Sequence, residues 1–160
     1  MIVSFFESMK YVGHMLPIAF LRMYMGYFFL ERALERFEGD FLVQPILSRS
    51  IDEWLPISTA PEWYKDVLES LVVPNWKAFA YLVAYIEFLV GISFLIGFLV
   101  RPVALLGVFL TVNFFYNTDP LVADLHRMFL AIFIIMWWVG AGRCMGFDYF
   151  FYKRQRGIWW

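Results

Sequence analysis

The stretch that decides the fold is Trp76–Val100, WKAFAYLVAYIEFLVGISFLIGFLV, in which Glu87 is the only charge after Lys77. About 20 apolar residues in a helix are enough to cross the hydrocarbon core of a bilayer. This stretch therefore predicts a membrane-spanning helix. A charge at the bilayer centre costs roughly 2.5–3.5 kcal/mol on insertion scales, so we expect Glu87 to face other helices.

Three further apolar runs surround this stretch and predict spans over about 11–37, 102–118 and 121–139. The chain is 62% hydrophobic and 160 residues long, which fits one membrane domain over 1–160. We expect an all-α, integral membrane four-helix bundle. Pro17 should kink the first helix or mark its true start, and Asp119 should cap the fourth, which opens with Pro120.

The outer segment, residues 38–75, connects the first two spans. Its second half, Pro61–Val73, has the apolar spacing of an amphipathic helix, and residues 41–55 show a weaker version. The apolar face carries Trp63, Val67 and Leu71 beside Tyr64 and Leu68. We expect both pieces to lie at the membrane surface and cover one end of the bundle. A structural lid and a lid over a site both remain open.

Lysine and arginine near the span ends set the orientation, because these residues favour the cytoplasmic side. The side holding the two termini is rich in them and carries few acids: Lys10, Arg101, Arg143, Lys153, Arg154 and Arg156 against Glu7 and Asp148. The side of the outer segment is rich in acids. We expect both termini in the cytoplasm and a bacterial or archaeal cytoplasmic (inner) membrane.

The composition excludes most cofactor sites. Cys144 is the single cysteine, so a disulfide, an iron–sulfur cluster and a cysteine zinc site have no basis. His14 and His126 are predicted at opposite ends of the bundle, too far apart for a bis-histidine haem. No GxGxxG motif offers a flavin or nicotinamide site, and no basic soluble tract suggests nucleic acid. A diffusible quinone, or a cofactor on a partner subunit, remains for any redox role.

Arg22 is the second buried charge, near the middle of the first span. Arg22 and Glu87 each lie about 11 residues into antiparallel spans, or ~17 Å at the helical rise. Gly26 and Gly91, one turn from each charge, allow close helix approach. We therefore expect an Arg22–Glu87 ion pair. It is either a structural pin or the floor of a polar cavity, in which Arg22 holds an anionic or carbonyl ligand and Glu87 accepts a proton.

Other polar residues form smaller sets. Asn113 and His126 should meet near the outer surface, where His126 could protonate a quinone. Asp124 and Arg127 are spaced to pair on one helix face. The outer end of the first helix is expected to be a solvated or interfacial charged helix end, or an outer vestibule for a charged substrate. It carries Glu31, Arg32, Glu35 and Arg36. Cys144 is expected at the cytoplasmic surface.

Four motifs resemble the DoxX/DoxD family. The first helix is similar to the family pattern R-x3-G-x2-F-x3-G-x2-K-[LF] at Arg22, Gly26, Phe29, Ala33, Arg36 and Phe37. In this chain, alanine stands at the second glycine of the pattern and arginine stands at its lysine. The second resembles E-x3-G-x5-G-x3-R through Glu87, Gly91, Gly97 and Arg101. The segment Ala60–Asn75 looks like the DoxD-type approach to that helix, and Gly140–Asp148 is similar to the closing GAGR-x2-GLD.

This resemblance implies a four-helix membrane protein and, for the DoxD branch, the membrane subunit of a thiosulfate:quinone oxidoreductase. Such an enzyme needs a DoxA-like partner, which this chain does not contain. The candidate catalytic residues are Glu87 and His126, and the candidate quinone-binding residues are Arg22, Glu87, Asn113 and His126. A non-enzymatic scaffold of a redox or stress complex and a homo-oligomeric carrier or channel remain as alternatives.

Overall fold

A computed structural model describes residues 13–154, with the backbone alone described at Pro120. The described residues form helices and turns without a strand, which confirms the all-α class. The helices are α1 (Leu16–Glu38), α2 (Ile46–Trp54), α3 (Glu62–Val67), α4 (Trp76–Ile96), α5 (Val100–Tyr116), α6 (Pro120–Val139) and α7 (Asp148–Arg154). The predicted start of the first span at residue 11 lies outside the described residues, as do Lys10 and Arg156.

Helix α1 begins at a proline. Pro17 stands in the first turn, where a helix leaves its backbone N–H groups unpaired, so Pro17 marks the start of the helix rather than a kink. The buried face follows a spacing of three and four residues: Ala19, Arg22, Met25, Gly26, Phe29 and Ala33. The helix continues past its apolar part, so its last turn presents Arg36 on the extension of this face.

The long helices α1, α4, α5 and α6 share one apolar core. Each contributes large buried side chains: Met25 and Phe29 from α1, Val90 and Phe94 from α4, Leu110 from α5, and Phe133 and Met136 from α6. The ring of Phe133 packs edge-on against Phe29 and Phe94, with centroids 5.2 and 5.4 Å away. These aromatic contacts join three of the four helices at one level.

Two glycines set the register of α1 against α4. A Cβ built on Gly91 would lie 2.7 Å from the Cα of Leu30, and one on Gly26 would lie 2.7 Å from the backbone nitrogen of Leu95. The two backbones therefore touch at positions where any other residue would push them apart. The helices are antiparallel, with Gly26 opposite Leu95 and Leu30 opposite Gly91.

The turn between α4 and α5 comes earlier than predicted, at Gly97–Leu99 instead of residues 100–102. Gly97 ends α4 in the left-handed conformation, with φ at 68°. The first N–H groups of a helix lack partners within it. A carboxylate from a distant part of the chain satisfies two at this point, because Asp148 accepts from the backbone nitrogens of Leu99 (2.7 Å) and Val100 (3.1 Å). The cap predicted at Asp119 is confirmed, since its carboxylate accepts from the N–H of Leu121 at 2.8 Å.

The outer segment forms the predicted amphipathic pieces. Helix α2 and helix α3, with the π-helical turn Leu68–Val72 that follows α3, bury a small apolar core of Ile51, Leu55, Leu68 and Val72. Phe79 of α4 packs against this core. The outer segment therefore covers the ends of the long helices near the start of α4.

Two helices are long and apolar enough to cross a membrane, Trp76–Ile96 and Leu121–Val139, with mean hydropathies of 2.1 and 1.6. Helix α5 is apolar but shorter, at 17 residues. Helix α1 is as long as α4 but carries charges through its last two turns. Length and composition therefore identify two candidate spans among the described residues.

Candidate functional site

A large apolar cavity lies between the outer segment and the long helices. Its volume is about 920 Å³, within the range of small-molecule sites. The walls come from α2 and α3, from Phe79 and Ile86 of α4, and from Leu110 and Phe114 of α5. This cavity is called the outer cavity below. The outer segment therefore covers this cavity, and it is also called the cover below.

The polar groups of the outer cavity are few. They include Arg32 and Arg36 of α1, Asn113 of α5, Asn117 just after α5, His126 of α6 and, from α3, Tyr64. Of the predicted quinone-binding residues, Asn113 and His126 line this cavity together. Arg22 and Glu87 are not among its lining residues.

Glu87 is fully buried and pairs with Arg36. The Nε of Arg36 donates to one carboxylate oxygen at 2.5 Å and Nη2 donates to the other at 3.2 Å. This two-point geometry is the strong form of an arginine–carboxylate contact. The guanidinium also lies 4.1 Å from the centre of the Phe41 ring in the outer segment. Arg36 therefore links α1, α4 and the cover.

The predicted pair between Arg22 and Glu87 is wrong. The register set by Gly26 and Gly91 puts Glu87 opposite the turn of α1 that contains Leu34. Arg22 lies about 12 residues away along α1, or ~18 Å at 1.5 Å per residue. The prediction estimated the depth of each charge by counting residues from the start of its apolar run. This estimate failed because α1 continues well beyond its apolar part.

Arg22 instead holds the loop that follows α6, residues 140–147, called the C-terminal loop below. Its Nη1 donates to the carbonyl oxygens of Ala141 (2.9 Å) and Cys144 (3.1 Å), and Nη2 donates to that of Met145 (3.0 Å). Arg22 is fully buried, and its guanidinium also lies beside Gly97 and Gly146. Its role here is to bind backbone carbonyls far from the outer cavity.

Asp148 completes this second cluster. Besides capping α5, it joins the C-terminal loop to the α4–α5 turn, because its backbone nitrogen donates to the carbonyl of Gly97 at 3.0 Å. Burial raises the pKa of the Asp148 carboxyl, and the two backbone hydrogen bonds act in the opposite direction. Motif residues from the first helix, the second helix and the tail thus meet at one structural junction.

Cys144 is buried, so its expected surface position is wrong. Its backbone carbonyl accepts from Arg22, and its side chain packs with Met15 and Ala19. Burial raises the pKa of the thiol. The basic turn does not activate this cysteine, because the thiol is enclosed.

Arg32 also faces inward, so both arginines at the outer end of α1 are half-buried and line the outer cavity, whereas Glu31 and Glu35 are exposed. The guanidinium of Arg32 lies 5.6 Å from the Phe28 ring centre and 5.9 Å from that of Phe114. It forms no hydrogen bond with another described residue. Arg32 is close enough to Glu87 and His126 for electrostatic interaction. Its donors are therefore available to a ligand.

Tyr64 fastens the outer segment to α5. Its hydroxyl donates to Oδ1 of Asn113 at 2.8 Å and accepts from Nδ2 of Asn117 at 2.9 Å. Its ring lies 5.6 Å from that of Tyr116. Burial raises the pKa of this phenol. Sequence reasoning missed Tyr64 and Asn117 as site residues.

His126 lies deeper in the wall of the outer cavity. Its Nδ1 is 3.1 Å from the carbonyl oxygen of Val122, which assigns Nδ1 as the donor and leaves Nε2 for another partner. The imidazole meets the rings of Phe114 and Phe129 edge-on. His126 and Asn113 thus line the same cavity.

The remaining predicted polar residues are exposed at the surface. Arg127 donates to Asp124 at 2.8 Å, which confirms that pair, and both side chains are exposed. His14 is exposed at the start of the described chain. Within residues 13–154, no three side chains of the metal-binding types gather as a metal site would require. The outer cavity is therefore the candidate site.

The fold and the site define an all-helical protein with two apolar helices of membrane-spanning length, a buried ion pair and an apolar cavity. The family comparison agrees. The model of the DoxX family matches residues 18–117, well over half of the chain, so this chain belongs to the DoxX family. No match was found among curated proteins or among solved structures.

One signal in the sequence could have identified Arg36. Arg22, Phe29 and Arg36 follow one another at intervals of seven residues, or two helical turns, so all three share the buried face of α1. The same reasoning applied to α4 places Glu87 among Ala80, Ala84 and Phe94 on its buried face. A helix-face comparison thus offers Arg36 as well as Arg22 as the partner of Glu87.

Proposed function

We propose that the protein binds a membrane quinone in the outer cavity and serves as the quinone-facing membrane subunit of an oxidoreductase. The placement of Arg32 carries this proposal. Arg32 is a cation with unused donors, in a cavity whose walls are otherwise mostly apolar and aromatic. A quinone has matching chemistry, because it combines carbonyl acceptors on a flat ring with an apolar tail.

The charges around the cavity favour a ligand with acceptor oxygens. Arg36 is neutralised by its two-point contact with Glu87, whereas Arg32 adds a positive charge that has no hydrogen-bonded carboxylate among the described residues. In a low-dielectric cavity, a guanidinium that donates to a carbonyl oxygen forms a stronger hydrogen bond than it would in water. Arg32 would orient the ring by this bond, with Phe114 beside it.

The proton path of this proposal uses His126. A bound quinone would supply the redox chemistry by taking up two electrons and two protons. Because Nδ1 of His126 donates to Val122, Nε2 is the nitrogen that can carry a proton to a ring oxygen. Glu87 has a positioning role, since both of its oxygens already accept from Arg36. Asn113 and Asn117 keep Tyr64, and with it the cover, in place.

The wider setting follows the same proposal. All four long helices cross the membrane, with α1 tilted or extended into the outer surface, and both termini face the cytoplasm of a bacterium or archaeon. A DoxA-like partner subunit oxidises the donor, thiosulfate being the candidate, and delivers the two electrons. A solute carrier is disfavoured, because Phe29, Phe94 and Phe133 fill the space between the helices outside the cavity.

Quinone titration of the purified protein in nanodiscs tests this proposal. A short-tailed benzoquinone or naphthoquinone should bind saturably, at one per chain. Arg32→Gln should weaken binding by roughly 10- to 100-fold, because a hydrogen bond to a charged donor contributes ~1.5–3 kcal/mol. Arg49→Gln, at an exposed arginine of α2, is the matched control and should bind like the natural protein. Absence of saturable binding, or equal affinities of the two variants, would contradict the proposal.

A further inference from the structure

The outer cavity has a side opening, and exposed apolar side chains form its rim. Two of its lining side chains are also exposed on the outside of the protein, Leu82 of α4 at 45% and Phe109 of α5 at 54%. A residue that both lines a cavity and reaches the outer surface lies at a mouth. Val83 and Leu110, their neighbours in sequence, line the cavity and are less exposed or buried.

The mouth lies within the apolar length of the helices. Leu82 is about six residues from the start of α4, and Phe109 is about seven residues from the end of α5. At 1.5 Å per residue, both lie ~10 Å from the outer ends of their helices. Counted from the turn that joins α4 to α5, Leu82 lies ~22 Å and Phe109 ~15 Å along its helix, so both lie below the outer helix ends and within the length of the ~30 Å hydrocarbon layer.

Helix α3 and the turn after it form the upper rim. Trp63, Val67 and Leu71 line the cavity and are 68%, 43% and 51% exposed. Their spacing of four residues places them along one edge. Exposed tryptophan and aliphatic side chains of this kind favour the boundary between headgroups and acyl chains. The upper rim thus continues the apolar surface of the mouth.

We propose that the ligand of the outer cavity comes from the bilayer, and that its apolar tail leaves the cavity between Leu82 and Phe109 into the surrounding lipid. This inference rests on the proposed function and adds the route of exchange, so it requires a quinone whose apolar tail is long enough to reach the surrounding lipid. The polar ring lies at Arg32 and His126, and the tail extends sideways between α4 and α5. The ligand is therefore exchanged with the membrane rather than with the outer solution.

Tail-length dependence in tryptophan variants tests this inference. Leu82→Trp should narrow the mouth and weaken binding of a long-tailed quinone by about tenfold, a loss of ~1.4 kcal/mol of apolar contact. A tailless or short-tailed quinone should bind this variant with nearly unchanged affinity, which also shows that the variant is folded. Leu89→Trp is the matched control, because Leu89 is an equally exposed leucine of α4 outside the cavity lining.

The α5 side of the mouth provides an independent pair of tryptophan variants. Phe109→Trp should repeat the selective loss, and Leu105→Trp, at an exposed residue of α5 outside the lining, should not. If the long-tailed quinone binds all four variants like the natural protein, the side opening is wrong and quinone binding stands. Equal weakening of short and long tails would also overturn the inference. If neither quinone binds the natural protein, the proposed function itself fails.

Discussion

Arg36 on α1 holds the buried carboxylate of Glu87 on α4 at both oxygens, and the ring of Phe41 stacks over the same guanidinium. One arginine thus joins two long helices to the outer segment beside the cavity. Charges in this position stabilise a protein only as a pair, because each one alone would be buried without a partner. This dependence leads to the first prediction.

Removing one member of this pair should lower the free energy of unfolding more than removing both. We expect Glu87→Leu to lower the free energy of unfolding by ~3–5 kcal/mol, since it leaves Arg36 unpaired. The double variant Arg36→Leu with Glu87→Leu should recover a large part of that loss. Unfolding in mixed micelles at increasing denaturant measures both values.

The exposed pair Asp124–Arg127 is the control for this experiment. Its two side chains are 76% and 65% exposed, so Asp124→Asn should cost less than ~1 kcal/mol. A double variant at residues 36 and 87 that is no more stable than Glu87→Leu would contradict the paired role of Arg36.

Tyr64→Phe should loosen the cover without disturbing the long helices. The variant loses both hydrogen bonds of the hydroxyl, to Asn113 and from Asn117, which contribute ~1–3 kcal/mol together. Hydrogen exchange should accelerate over residues 61–73 and remain slow in α4. Equal protection of the outer segment in both proteins would show that Tyr64 does not fasten it.

The same tyrosine gives the cover a pH dependence. Burial raises the pKa of Tyr64 above its ordinary value of 10, so the closed cover retains a proton that the opened, solvated phenol loses. Closure should therefore be fully stable below pH ~10 and weaken as the pH rises further. Hydrogen exchange between pH 9 and 11, corrected for its intrinsic pH dependence, measures this change, which Tyr64→Phe should lack.

Arg22→Ala should expose Cys144. Three carbonyls of the C-terminal loop lose their donor in this variant, while in the natural protein the thiol is buried and its pKa is raised. We expect alkylation by a membrane-permeant maleimide to be at least about tenfold faster in the variant, a change of ~1.4 kcal/mol in opening. Arg49→Ala, at an exposed arginine, should react as slowly as the natural protein. Equal rates in all three proteins would refute this role of Arg22.

Gly91→Ala should separate α1 from α4. The new Cβ would lie 2.7 Å from backbone atoms of Leu30, a contact that no side-chain rotation relieves. Overpacking of this kind costs ~1–3 kcal/mol, which should appear as a lower midpoint of thermal unfolding. The neighbouring Ile92→Ala, on the exposed face of α4, should have a smaller effect. The reverse order would mean that the helices do not touch at Gly91.

The helices were predictable from sequence because their signals are local. Apolar runs marked α4 and α6, Pro17 and Asp119 marked two helix starts, and the spacing of Trp63, Val67 and Leu71 revealed the amphipathic outer piece. The turn at Gly97 was misplaced because its position depends on Asp148, about 50 residues further along the chain.

The partners of the charges were not predictable from depth alone. The register of α1 on α4 is set by where Gly26 and Gly91 meet the facing backbone, which is a tertiary contact. The outer cavity exists because the outer segment folds over the helix ends, so Tyr64 and Asn117 became site residues only in three dimensions. Asn113 and His126 could be predicted as members of one site because both lie near helix ends on the same side of the bundle.

Photoaffinity labelling with an azidoquinone tests the central claim, that the outer cavity holds a quinone, most directly. We predict saturable labelling of peptides from the cavity wall, including those with Arg32, Tyr64 and Asn113, and its loss when unlabelled quinone is added in excess. Labelling confined to the exposed lipid-facing side chains of α4 and α6, or labelling that excess quinone does not reduce, would contradict the claim.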